Sequence, residues 1–65
     1  MGPIGKMVRN NMTGDVGLLV KVDKDVWWNS EIAEFYETDM WHVLGSDGKV
    51  TISACYYYET LSEGN

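Results

Sequence analysis

The sequence predicts a mainly β fold, a small antiparallel barrel of about five strands, and three observations lead there. Residues 41–44 and 50–54 alternate on either side of Gly45-Ser46-Asp47-Gly48, the pattern of a β-hairpin around a tight turn. Upstream, Val16-Gly17-Leu18-Leu19-Val20-Lys21-Val22 carries the period of two that marks a half-buried strand. The chain has 65 residues, enough for a single domain over 1–65 that buries only about 60% of its unfolded surface. A chain with so small a core is expected to lean on a partner or on copies of itself.

Taken in order, Met1–Gly5 reads as an irregular lead and Lys6-Met7-Val8-Arg9 as a first short strand. Asn10–Asp15 is rich in residues that turn the backbone, so a reversal precedes Val16. In the next strand Val16, Leu18, Val20 and Val22 share one face and Leu19 and Lys21 the other, with Gly17 permitting a bulge or bend. Asp23-Lys24-Asp25 reads as a polar turn. Val26-Trp27-Trp28 follows as a strand whose two indoles point to opposite faces.

Segment 29–39 has two readings. Ile32-Ala33 and Phe35-Tyr36 recur at helical spacing behind Ser30 as a cap and Glu31 in the first turn, which gives a short helix within 30–38. The other reading is a long acidic excursion between strands. Beyond it, Trp41 and Val43 share one face of a strand, and Met40, His42 and Leu44 share the other. After the turn, Val50, Ile52, Ala54 and Tyr56 form the expected core face, opposed by Thr51, Ser53, Cys55 and Tyr57. Tyr58–Leu61 is expected to form a turn of helix before a closing strand, and 62–65 a frayed end.

Ten acidic and five basic side chains give a formal charge of −5, which disfavours binding to duplex phosphates and favours solubility. Lys6 and Arg9 sit close together near the amino terminus, but two cations do not make a basic patch. The lone Cys55 excludes an intrachain disulfide and fits a reducing compartment. With no secretory leader and no apolar run of membrane-spanning length, the expected setting is soluble and not secreted, so Asn11-Met12-Thr13 has no consequence as a glycosylation pattern.

No catalytic site, metal or cofactor is expected. His42 stands without convergent partners in the sequence, and Cys55 sits among packing residues without an activating base. Asp23, Asp25, Asn29 and Glu31 fail as a calcium loop because Trp27 and Trp28 occupy the positions that need an oxygen ligand and a glycine. Glu31, Glu34 and Glu37 would form one acidic stripe on a helix, and together with Asp39 they offer an acidic recognition face. Eight aromatic side chains are more than so small a core can enclose, so some face outward. Trp27, Trp28, Tyr36, Tyr56, Tyr57 and Tyr58 are the candidate protein-binding residues, since Trp and Tyr dominate binding hot spots.

The order of Lys6-Met7-Val8-Arg9, Gly14-Asp15-Val16-Gly17-Leu18-Leu19-Val20, a connecting excursion, Trp41-His42-Val43-Leu44 and Ser46-Asp47-Gly48-Lys49-Val50 resembles the short Src-homology-3-like barrels that bacteriophages encode. Glu59-Thr60-Leu61 echoes the acidic-aliphatic pair that closes them. The chain departs from the pattern in its long excursion from Asp23 to Asp39, in Val43-Leu44-Gly45 where a Trp usually precedes the turn, and in its three consecutive tyrosines. The resemblance implies a virion structural or adaptor protein, located in the virion or the host cytoplasm, that binds another virion protein through its aromatic face and possesses the capacity to form homo-oligomers. The alternative is an acidic phage regulator that binds and inhibits a host protein. A nucleic-acid-binding barrel using Lys6 and Arg9 ranks behind both, and an enzyme last.

Overall fold

In the computed structural model, which describes residues 3–61, five antiparallel strands form one sheet in the order β4-β3-β2-β1-β5. They are β1 (Met7–Asn10), β2 (Val16–Asn29), β3 (Glu34–Gly45), β4 (Val50–Ala54) and β5 (Tyr58–Thr60), with a single 3-10 turn at Cys55–Tyr57 before the last. The mainly β architecture and the 41–54 hairpin follow the expectation. The frayed end expected for 62–65 lies outside the described residues.

The sheet curls but does not close, so the expected barrel is incomplete. β4 and β5 are the two edges, and neither pairs with the other. Closure fails because the edges are short, five and three residues, while β2 and β3 run on for 14 and 12. Curling still brings Tyr58 of β5 over Trp41 of β3, their rings stacked with centroids 5.8 Å apart and planes at 21°. Val8, Leu19, Val43 and Tyr58 form the core beneath this stack, with Val22 and Trp41 packed against it.

A bulge decides which residues enter that core. The β2–β3 register shifts between Leu19 and Lys21, so one extra residue, Val20, is left over. An extra residue moves every later side chain to the other face. Leu19 and Val22 therefore both reach the core, while Val16 and Val20 remain exposed. The predicted Val16-Leu18-Val20-Val22 face is thus corrected, and so is the role of Gly17. Gly17 lies opposite Gly45, and a Cβ there would stand 2.5 Å from Val43 Cγ1 and 2.6 Å from the Leu44 carbonyl oxygen.

The face of β4 is likewise reversed. Thr51 and Ser53 oppose Val43 and Trp41, on the core side, while Val50 and Ile52 are exposed on the convex side. Ala54 opposes Met40 and is buried on that convex side, separately from the main core. Alternation alone cannot tell which of two faces is covered; here the side of Val43 and Trp41 carries Thr51, which stays exposed, and Ser53, which is half-buried.

Neither the polar turn at 23–25 nor the helix in 30–38 forms. β2 continues straight through Asp23-Lys24-Asp25, because Lys24 bridges across to Asp39 at 3.2 Å and to Glu37 at 3.6 Å. The reversal is instead the turn 30–33, where Asn29 Oδ1 accepts from the Glu31 amide at 2.9 Å and Ala33 takes a left-handed φ of 54°. The expected turn of helix at 58–61 is displaced to Cys55–Tyr57, and Tyr58 begins β5.

Candidate protein-binding arm

Past the last pairing with β4, at Met40↔Ala54, strands β2 and β3 leave the sheet as a two-stranded arm. Its rungs run from Lys24↔Asp39 to Asn29↔Glu34. Directly opposed residues of an antiparallel pair share a face, and successive rungs alternate. One face therefore carries Asp25, Thr38, Trp27, Tyr36, Asn29 and Glu34, and the other carries Lys24, Asp39, Val26, Glu37, Trp28 and Phe35.

Each face holds a cross-strand aromatic pair. Trp27 and Tyr36 meet edge to face with centroids 5.9 Å apart and planes at 74°; Trp28 and Phe35 do the same at 5.0 Å and 69°. Edge-to-face packing is the arrangement the ring quadrupoles favour, and each pair is worth about 0.5–1.5 kcal/mol beyond its area. These pairs hold a ribbon that has no core of its own. They also leave the rings in solvent, Trp28 at 53% and Phe35 at 70% of full exposure.

Tyr56 and Tyr57 join the Trp27 side. The 3-10 turn brings them together, centroids 4.7 Å apart, beside a shallow trough of about 340 Å³ lined by Trp27, Asp25, Thr38, Met40, Ser53 and Ala54. Tyr57 holds the Tyr56 hydroxyl above the ordinary tyrosine range, chiefly by the charge its own phenolate would carry. Tyr58 does not belong to this surface: it is buried in the core, a correction to its place among the candidate contacts. Phe35, not among those candidates, is the most exposed ring of the arm; its register opposite Trp28 becomes visible only once 34–45 is a strand.

The acidic residues do not form one stripe. On a strand Glu34 and Glu37 face opposite ways, Glu31 sits in the turn, and Asp39 shares the Glu37 face with Lys24 between them. Asp39, first by its hydrogen bond and then by its charge, and Glu37 hold the Lys24 ammonium above the ordinary lysine range. From Lys24 to Asp39 five carboxylates stand against the one ammonium of Lys24. Aromatic and acidic residues, alternatives in the sequence, thus occupy the same arm.

The remaining chemistry-bearing residues are engaged locally. His42 Nε2 lies 2.9 Å from Asp23 Oδ2, a diagonal neighbour across β2–β3 in the register that the bulge sets. Arg9 is ion-paired with Glu59 across β1–β5, which removes one of the two cations of the nucleic-acid reading. Cys55 is a half-buried free thiol. Among the described residues no three His, Cys, Asp or Glu side chains converge as a metal site, and no helix is long and apolar enough to cross a membrane. The chain matches no protein-family model, no curated protein and no solved structure.

Proposed function

We propose that this protein is a small adaptor or structural module of a phage virion that grips another virion protein with the convex side of its arm. One observation carries the reading: Trp27, Tyr56 and Tyr57 converge on a trough at the arm's base, half-exposed and rimmed by Asp25. Clustered, rigid aromatic rings with polar tips are what binding hot spots are made of. The chemistry of the surrounding arm selects a partner surface rich in Lys or Arg, whose cations both pair with carboxylates and pack on indole faces. Strand order and the 3-10 turn before the last strand support descent from an Src-homology-3-like barrel whose edges have parted.

A second reading, an acidic regulator that inhibits a host protein, is favoured by the five carboxylates of the arm. The two separate in one experiment: mass spectrometry of purified particles beside capture of the tagged protein from infected cells. High copy number in the particle, lost on Trp27→Ala or Tyr57→Ala, supports the structural reading. Absence from particles with a host protein captured, and release of that protein at high salt, supports the regulator.

A further inference from the structure

We infer that the trough at the base of the arm takes a single arginine side chain of the bound protein, its guanidinium laid against the rings of Trp27, Tyr56 and Tyr57 and paired with Asp25. This deepens the reading of the trough as a protein-binding site and rests on it.

Charge fixes the sign of the occupant. Among the described residues Asp25 takes part in no ion pair, whereas Asp23 has Lys21 and His42, Glu37 and Asp39 have Lys24, and Glu59 has Arg9. Lys24, the arm's one cation, projects from the opposite face, since it stands one residue from Asp25 on the same strand. The face of the arm that carries Trp27 therefore holds two carboxylates, Asp25 and Glu34, and no cation. Further down the same side Lys21 is paired with Asp23. An unpaired carboxylate beside aromatic rings is matched by a positive group, because the faces of Trp and Tyr rings attract cations as well.

Shape and donor count fix the kind of cation. The trough is shallow, lined from the arm by Trp27 and from the 3-10 turn by Tyr56 and Tyr57, whose planes are tilted at 47° to each other. A planar guanidinium can stack on a ring there and keep its other face in water, whereas a quaternary ammonium gains most where rings enclose it. Asp25, Thr38 and Ser53 bring oxygens to the same trough, and Thr38 stands directly opposite Asp25. A guanidinium carries five N–H donors in a fixed fork, enough for both carboxylate oxygens and a hydroxyl at once. A lysine ammonium is a compact, strongly hydrated point charge that would surrender its water for fewer bonds. Met40 and the buried Ala54 supply an apolar surface for the methylene stem of the arginine.

The test is a nuclear magnetic resonance titration of the full chain with N-acetyl-argininamide, N-acetyl-lysinamide and tetramethylammonium as separate probes. The three indole N–H signals report three places: Trp27 in the trough, Trp28 on the other face of the arm and Trp41 against the core. Argininamide should shift the Trp27 signal saturably, leave Trp28 and Trp41 in place, and bind more tightly than either other probe. Asp25→Asn should weaken it about fivefold, the upper worth of one exposed ion pair. Tyr56→Leu should weaken it about two- to fivefold, the worth of an exposed cation–π contact. Trp27 is kept because it braces Tyr36 across the ribbon, and circular dichroism checks that both variants fold. Equal affinity for lysinamide or tetramethylammonium, equal shifts at Trp28, or an Asp25→Asn chain that binds argininamide as tightly as wild type overturns the inference. If argininamide fails to bind while Trp27→Ala still loses its place in the particle, the arginine falls and the protein-binding reading stands. Saturable argininamide binding by a chain absent from particles supports the arginine and removes the virion partner.

Discussion

At Gly17 the sheet has room for a hydrogen and nothing larger, since the nearest neighbour on one side is backbone, which cannot swing away. Gly17→Ala is expected to cost about 1–3 kcal/mol, the usual range for forcing atoms into a packed site, read as a lowered midpoint in urea. Leu19 has the opposite problem: it is fully buried, and Leu19→Ala removes about 2–5 kcal/mol. That is as much as a domain of this size possesses, so the variant should lose its β-sheet circular dichroism at 25 °C. Neither role was legible in the sequence. Period two makes Leu19 the odd residue among four valine and leucine positions, and the extra residue at Val20 breaks that face by turning Val22 onto the side of Leu19. Tyr56 offers a finer check. Its raised pKa has Tyr57 as the leading cause, so Tyr57→Phe should lower its phenolate titration, followed by ultraviolet absorbance, toward the ordinary tyrosine range.

Among the elements, the arm differs from the sheet in having both faces wet. Its rungs rest on aromatic and charged pairs rather than on burial, so amide protons beyond Lys24↔Asp39 should exchange faster than those of Leu19 and Val43. Uniform protection along β2 would refute this division. The Lys24 pairing has a definite pH signature. A lysine whose folded pKa is raised stabilises the folded arm fully below its ordinary range and loses that contribution as pH rises through the raised value. An alkaline step in indole fluorescence is therefore expected in wild type and should vanish in Lys24→Met. The same pairing explains why the arm was hard to read. Asp23-Lys24-Asp25 has the composition of a turn, and 30–38 has the spacing of a helix, yet both are strand because Lys24, Trp27 and Trp28 each find a partner across the ribbon. Cross-strand partners are not adjacent in sequence. The hairpin at 41–54 was legible because its turn and both its strands lie within one short window, and the aromatic and acidic candidates were legible as residue types though not as two faces of one arm.

For the whole molecule, the dimensions of 43 × 25 × 19 Å and a radius of gyration of 13.4 Å describe an object with a handle. A compact chain of this length would have a radius near 11 Å. No member of the core cluster lies between Lys24 and Asp39, so the handle should be separable from the fold. Asp23 and Met40 stand directly opposite each other, and an Asn-Gly turn joining them in place of 24–39 would reverse the chain at that point. The deletion removes Trp27 and Trp28 and leaves Trp41 as the sole tryptophan, a reporter placed on Tyr58 at the core. If the curled sheet is the folding unit and the arm its binding device, the shortened chain keeps blue-shifted Trp41 emission and a cooperative urea transition, while partner capture disappears. Red-shifted emission without a transition would mean that the arm holds the sheet together. The core's composition argues for the first outcome: Val8, Leu19, Val43 and Tyr58 come from β1, β2, β3 and β5, and each makes its contacts on the sheet side of Met40.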